Sequence, residues 1–299
     1  RMICRSVTTV AVAAVCLAAA PVRTAPPHPP AHDVPPLSLL PDGPLSSSEF
    51  DHLAKTDPVA LLAACVHHYR ATNRGFTATL HKQERIAGTL YKPERVRVTV
   101  REAPYAVRMI WEDGAREVKL GPISLGTVEG VVYGGTNDGQ MTVWRPAARF
   151  GKTMPIAPTG DQARAAARYS VTEAGVCQAA ERTLKAWSEA KRQGRLVWRH
   201  VGTKPVPELG DRVCHVIERT CDPAEVDPFL SAERRPDAAK SPPDAFRTVT
   251  VMIDAEHRIQ VGSQLKRADG ELVGAYFFRD LDLNPNLDAT LFKPTSFQK

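Results

Sequence analysis

Residues Arg95 to Trp111 read Arg-Val-Arg-Val-Thr-Val-Arg, then Glu-Ala-Pro, then Tyr-Ala-Val-Arg-Met-Ile-Trp. Val96, Val98 and Val100 fall on one side of an extended chain, and Arg95, Arg97, Thr99 and Arg101 on the other. Beyond the corner at Pro104, Tyr105, Val107, Met109 and Trp111 repeat the period. Strict alternation over two adjacent segments marks antiparallel strands with one dry face and one wet face. It also contains no reactive side chain, so it speaks to architecture before activity.

Further segments of the same kind lie on both sides. Phe76, Ala78 and Leu80 alternate with Thr77, Thr79 and His81 in a strand that ends near Ile86. Residues 116–120 read as another strand. Val128–Tyr133 and Gln140–Trp144 flank Gly134-Gly135-Thr136-Asn137-Asp138-Gly139, which reads as a hairpin turn, because it lacks the Lys-Ser/Thr of a phosphate loop and opens no helix. Residues 145–170 look irregular. Strands resume at Leu196–Lys204, Arg212–Thr220, Phe246–Ile253, Ile259–Arg267 and Leu272–Leu281.

Two helices stand out. Asp57-Pro58 opens one that runs to Thr72, with Leu61, Leu62, Cys65, Val66 and Tyr69 as its apolar stripe. The second covers Glu173–Arg192, buries Val176, Ala180, Leu184 and Trp187, and closes at Gly194. The expected fold is α+β: a single curved antiparallel sheet of about 10–11 strands, an open half-barrel with helices on its concave face. Two sheets closing as a sandwich is the alternative.

The chain has 299 residues, 43% apolar and 24% charged, enough for a sizeable core. Residues 1–25 read as a signal peptide: Arg1 and Arg5 precede an apolar run from Val7 to Ala20, too short to span a bilayer. Cys16 raises lipid anchoring, which Val15 disfavours. Residues 26–54, rich in proline, read as a flexible spacer, and 55–299 as the folded domain, with residues 222–245 as a mobile insertion. Setting aside Arg1, Arg5 and Arg23 leaves 36 bases against 33 acids, a net charge of +3. That excess is too small to argue for nucleic acid.

No catalytic or metal signature appears, so no cofactor and no metal are expected. Cys65 and Cys177 fall on the two helices and can pair as a disulfide if those helices pack. A hairpin loop at residues 205–211 places His200 opposite residue 216, so His200 and His215 are expected on opposite faces. Glu84, Glu94 and Glu102 among arginines read as cross-strand ion pairs on the wet face, and Lys82–Arg85 as a salt-bridged rim. A hydrolase built on His81, Glu84 or His215 is the weakest reading. What remains is apolar surface: two helices cannot cover ten strands, and the uncovered part would form a pocket lined by Val98, Val107, Met109, Trp111, Val131 and Met141.

The strands Phe76–Arg85, Arg95–Arg101 and Ala106–Trp111, with Val131-Val132-Tyr133-Gly134-Gly135 and Tyr276-Phe277-Phe278-Arg279-Asp280-Leu281-Asp282-Leu283-Asn284-Pro285, resemble the LolA-type outer-membrane lipoprotein-sorting superfamily. They are closer to a bacterial family of exported domains of uncharacterised function with that fold. The resemblance covers roughly residues 55–295. It implies an apolar cavity for lipid or lipoprotein acyl chains, a periplasmic or otherwise exported protein, and peripheral contact with membranes. It carries no binding residue across. The expected function is a non-enzymatic, carrier-like lipid-binding protein; the alternative is an envelope sensor or protein-interaction module on the same scaffold with a filled cavity.

Overall fold

The alternating segments assemble into one sheet in the computed structural model, which describes residues 45–120, 123–134, 139–148, 152–222 and 245–297. The expected signal peptide, Cys16, most of the spacer and residues 223–244 of the expected insertion lie outside the described residues. In chain order the strands are β1 (Gly75–Ile86), β2 (Thr89–Leu90), β3 (Glu94–Arg101), β4 (Ala106–Asp113), β5 (Glu117–Leu120), β6 (Ile123–Thr127), β7 (Gly130–Gly134), β8 (Met141–Trp144), β9 (Thr153–Ile156), β10 (Val197–Val206), β11 (Arg212–Thr220), β12 (Thr248–Asp254), β13 (Gln260–Lys266) and β14 (Leu272–Leu283). Twelve form a single sheet in the order β10-β11-β12-β13-β14-β1-β3-β4-β7-β8-β9, with β2 beside β1, while β5 and β6 make a separate pair. All the pairings are antiparallel. The sheet is open and curved; it does not close as a sandwich.

The dry face is continuous across strands. Val98 pairs with Ala78 on one side and Met109 on the other, Met109 with Val131, and Val131 with Val143. Arg95 and Arg97 project from the opposite face and share Glu112 in exposed ion pairs. The chain's last described residues cover part of that outer face: the Phe297 ring stacks on Trp144 with centroids 5.4 Å apart.

The helices lie on the inner face. Helix α1 (Ser47–Thr56) falls within the expected spacer, so the folded part begins earlier than residue 55. Its capping box is formed by Ser46 and Glu49. Helix α2 (Pro58–Thr72) starts where Asp57 caps the amides of Val59 and Ala60, each at 3.1 Å. Helix α3 (Asp161–Ala166) is short and has no buried residue, and with β9 it orders the stretch expected to be irregular. Helix α4 (Val176–Arg192) buries Val176, Cys177, Ala180, Leu184 and Trp187. Helices α2 and α4 pack together, and Lys191 reaches back to Asp57 at 2.6 Å. No helix among the described residues is long and apolar enough to cross a membrane.

Candidate functional site

Between the inner face of β1, β4, β7, β8 and β14 and the segment that leads from β9 into α4 lies a cavity of about 400 Å³. Its floor carries large side chains, among them Met109, Trp111, Val131, Met141 and Phe278. Its roof is built from small ones, Ala163 and Ala166 of α3, Ala174, and Ala179 of α4. Alanines opposite Met and Val leave a gap because neither surface reaches the other. The roof is nonetheless tied down. The Tyr105 hydroxyl donates to the carbonyl of Ala174 at 2.6 Å, and Arg116 donates to the carbonyl of Ala166 at 3.0 Å.

Of the six candidate lining residues, Met109, Trp111, Val131 and Met141 border this cavity. Val98 and Val107 do not; both are fully buried in the core beside it. Sequence parity places all six on the inner face, but it cannot say which of them a helix covers.

One end of the cavity is ionic. Lys82 lies 3.1 Å from Glu84 and 3.2 Å from Glu94, and Arg116 contacts the same two carboxylates. The Trp111 indole donates to Glu94 at 2.7 Å and the Tyr276 hydroxyl to Glu84 at 2.9 Å. Glu84 and Glu94 are 2% and 3% exposed, so they are buried ion pairs of the inner face and not the wet-face pairs expected from composition. The reason is parity: the alternation of Phe76, Ala78 and Leu80 continues through Lys82 and Glu84, and Glu94 heads the row of Val96, Val98 and Val100. Burial alone would raise the Glu84 carboxyl, but Lys82 and Arg116 outweigh it and hold it below its ordinary value. Burial likewise opposes the Lys82 charge, and Glu84 and Glu94 overcome it and raise its pKa.

Glu102 occupies a different setting. It accepts from the Tyr69 hydroxyl at 3.0 Å and from Gln178 at 2.9 Å, and burial pushes its carboxyl above its ordinary value.

The two histidines depart from the expected register. His200 pairs with Ile217 and Gly202 with Val216, so Val201 is an extra residue, a bulge that returns His200 to the face of His215. Gly202, at φ +144°, supplies a backbone conformation that L side chains rarely adopt. The two rings lie 5.9 Å apart. His215 Nδ1 lies 2.9 Å from the Thr203 hydroxyl and Nε2 lies 3.1 Å from Asp51 of α1. Burial lowers the pKa of both histidines. The trio of His81, Glu84 and His215 does not converge. His81 faces the outer side, and Glu84 and His215 stand on strands four places apart, about 19 Å at the usual spacing.

Among the described residues no three His, Cys, Asp or Glu side chains are grouped to hold a metal. Cys65 and Cys177 lie on packed helices, yet both thiols are free, and no disulfide joins them. Cys177 is placed against Glu181 at 3.4 Å, and burial raises both thiols far above their ordinary range.

The profile of the DUF1571 family, a protein of unknown function, matches residues 73–298, and the chain belongs to that family. No curated protein matches it. Solved structures similar to it include the lipoprotein LppX of Mycobacterium tuberculosis, 15% identical, covering 78% of this chain and all (100%) of that one, TM-score 0.41. The MucA/MucB complex of Pseudomonas aeruginosa is 14% identical over 84% of this chain and 61% of that chain, TM-score 0.39. A putative outer membrane lipoprotein-sorting protein domain from Vibrio parahaemolyticus is 9% identical over 79% and 97%, TM-score 0.33. The resemblance read in the sequence to a family of uncharacterised function agrees with the family match over residues 73–298.

Proposed function

We propose that this member of the DUF1571 family is an exported, non-enzymatic carrier that holds the acyl chain of a lipid or lipoprotein between its sheet and its alanine roof. The observation that carries this reading is the cavity of about 400 Å³ with Met109, Val131, Met141 and Ile156 along its apolar part. Its size falls in the range of small-ligand sites, roughly 300–1,000 Å³. Methionines suit an occupant of irregular shape. Each buried methylene contributes about 0.8 kcal/mol, so ten would supply roughly 8 kcal/mol before the cost of ordering. Export rests on the leader-like residues 1–25, and delivery from such a cavity implies transient contact with a membrane surface.

The test is native mass spectrometry of protein purified from its own envelope, together with Met141→Trp. The wild type is expected to carry lipid and to bind a fluorescent fatty-acyl probe. The larger indole should fill the cavity and weaken probe binding at least about tenfold, the loss of roughly two methylenes' burial, while leaving the fold intact by circular dichroism. Lipid-free wild type that ignores acyl probes would end this reading.

A protein-interaction module is the second reading, and the β10 edge favours it. This ten-residue edge strand shows Val197 at 62% exposure and Val201 at 36%, a template for strand addition by a partner chain. Capture of a partner by wild type and its loss with Val197→Lys would support it.

A further inference from the structure

The polar groups that line the cavity narrow the class of lipid, and this step rests on the acyl-chain reading. Lys82 and Arg116 each face both Glu84 and Glu94, so the four charges compensate one another. Over the whole lining three bases, with Arg182 the third, stand against four acids, including Glu117 and Glu173. The lining therefore carries one more negative charge than positive. An anionic head group would meet repulsion there and would have to break an existing ion pair to gain a cation.

Gln260 supplies the independent observation. A bulge at Val261 brings Gln260 opposite Ile253 and turns its side chain to the inner face, where it borders the cavity. It is 3% exposed, and its Oε1 has no hydrogen-bond partner among the described residues. A buried acceptor left unpaired is costly, and a native site of this kind calls for an occupant. One group that both donates and accepts is a hydroxyl, and it suits either orientation of the glutamine amide.

We infer that the cavity takes a single-chain lipid with an uncharged, hydroxyl-bearing head, held by Gln260 on the β13 side while the chain lies along Met109, Val131 and Met141.

Three palmitoyl esters test this with the full chain: 1-monopalmitoylglycerol, methyl palmitate and palmitoyl lysophosphatidate, which share the chain and differ at the head. The monoglyceride should bind about fivefold or more tightly than either other ester, the effect of one good hydrogen bond. Gln260→Leu should remove that preference and leave the affinity for methyl palmitate within about twofold. The same variant should raise the melting temperature of lipid-free protein by about 2–4 °C, because it deletes an unpaired buried acceptor. Lysophosphatidate binding as tightly as the monoglyceride, or a Gln260→Leu effect equal on all three esters, would overturn the head-group assignment alone. Failure of all three to bind would overturn both it and the carrier reading.

Discussion

Lys82 sits between two buried carboxylates and keeps the ionic end of the cavity neutral. Removing its ammonium leaves Arg116 alone against Glu84 and Glu94, an uncompensated negative charge in a place with little water. Breaking a buried pair in this way costs about 3–5 kcal/mol. Lys82→Met is expected to lose about 3 kcal/mol in urea unfolding, the lower end because Arg116 remains. The double variant Lys82→Met/Glu94→Gln should recover part of it, since one acid then faces one base. A loss below about 1 kcal/mol, the value of an exposed pair, would mean that water reaches the cluster. The inward placement of Lys82 and Glu84 was legible in the sequence, because the period of two that starts at Phe76 does not break at the first charged residue. Polarity invited the opposite reading. Composition says which side chains prefer water, and strand parity decides which side they occupy.

At the scale of elements, the helix caps were readable and the bulges were not. Asp57-Pro58 marks the start of α2, and Ser46-Ser47-Ser48-Glu49 carries the capping box of α1, although proline-rich surroundings masked it. Helix α3 and β9, at six and four residues, are too short for periodicity to register, and tertiary contacts hold them. The Val201 bulge reversed the expected arrangement of the histidines, since one extra residue exchanges the faces of everything beyond it. On the face the two histidines share, His215 joins α1 to the sheet through Asp51. The charged and titratable groups facing His215 are Asp51 and Lys55 from α1 and His200 from β10. Burial lowers the His215 pKa below the ordinary 6.5, so at mildly acidic pH the unfolded chain binds more protons than the folded one. Stability from this site is present above about pH 6.5 and is lost as pH falls below it. The urea midpoint should therefore drop between pH 7.5 and pH 5.5, and His215→Gln should shrink that slope. An unchanged slope in the variant would place the proton uptake elsewhere, with His200 the next candidate.

Across the whole molecule, the strand order rests on contacts that no local pattern announces. The first long strand lies beside the last, with Leu80 opposite Phe278, and this pairing joins two halves of the sheet that are distant in sequence. The alternation of residues 95–111 names a sheet but cannot specify its neighbours or say which part of the inner face the two long helices leave open. That part is roofed by the segment from β9 to α4. The sheet beneath it is laced by continuous ladders, whereas α3 buries no residue and is held by single bonds such as Arg116 to Ala166. Elements with few buried contacts open at lower free energy than the body of a fold. The roof is thus the expected point of entry for a lipid, with no need to disturb the strands. Hydrogen exchange offers a direct measurement. In lipid-free protein the amides of residues 161–174 should exchange far faster than those of β1, β3 and β14. Saturation with monopalmitoylglycerol at about 100 times its Kd should stabilise the folded state by roughly 2.7 kcal/mol. If entry is through the roof, most of the added protection should fall on residues 161–174 and Ala179, with little change in the already slow strands. Protection that instead appears evenly along β10 and β11 would place the lipid at the opposite end of the sheet, and the cavity would lose its claim as the site.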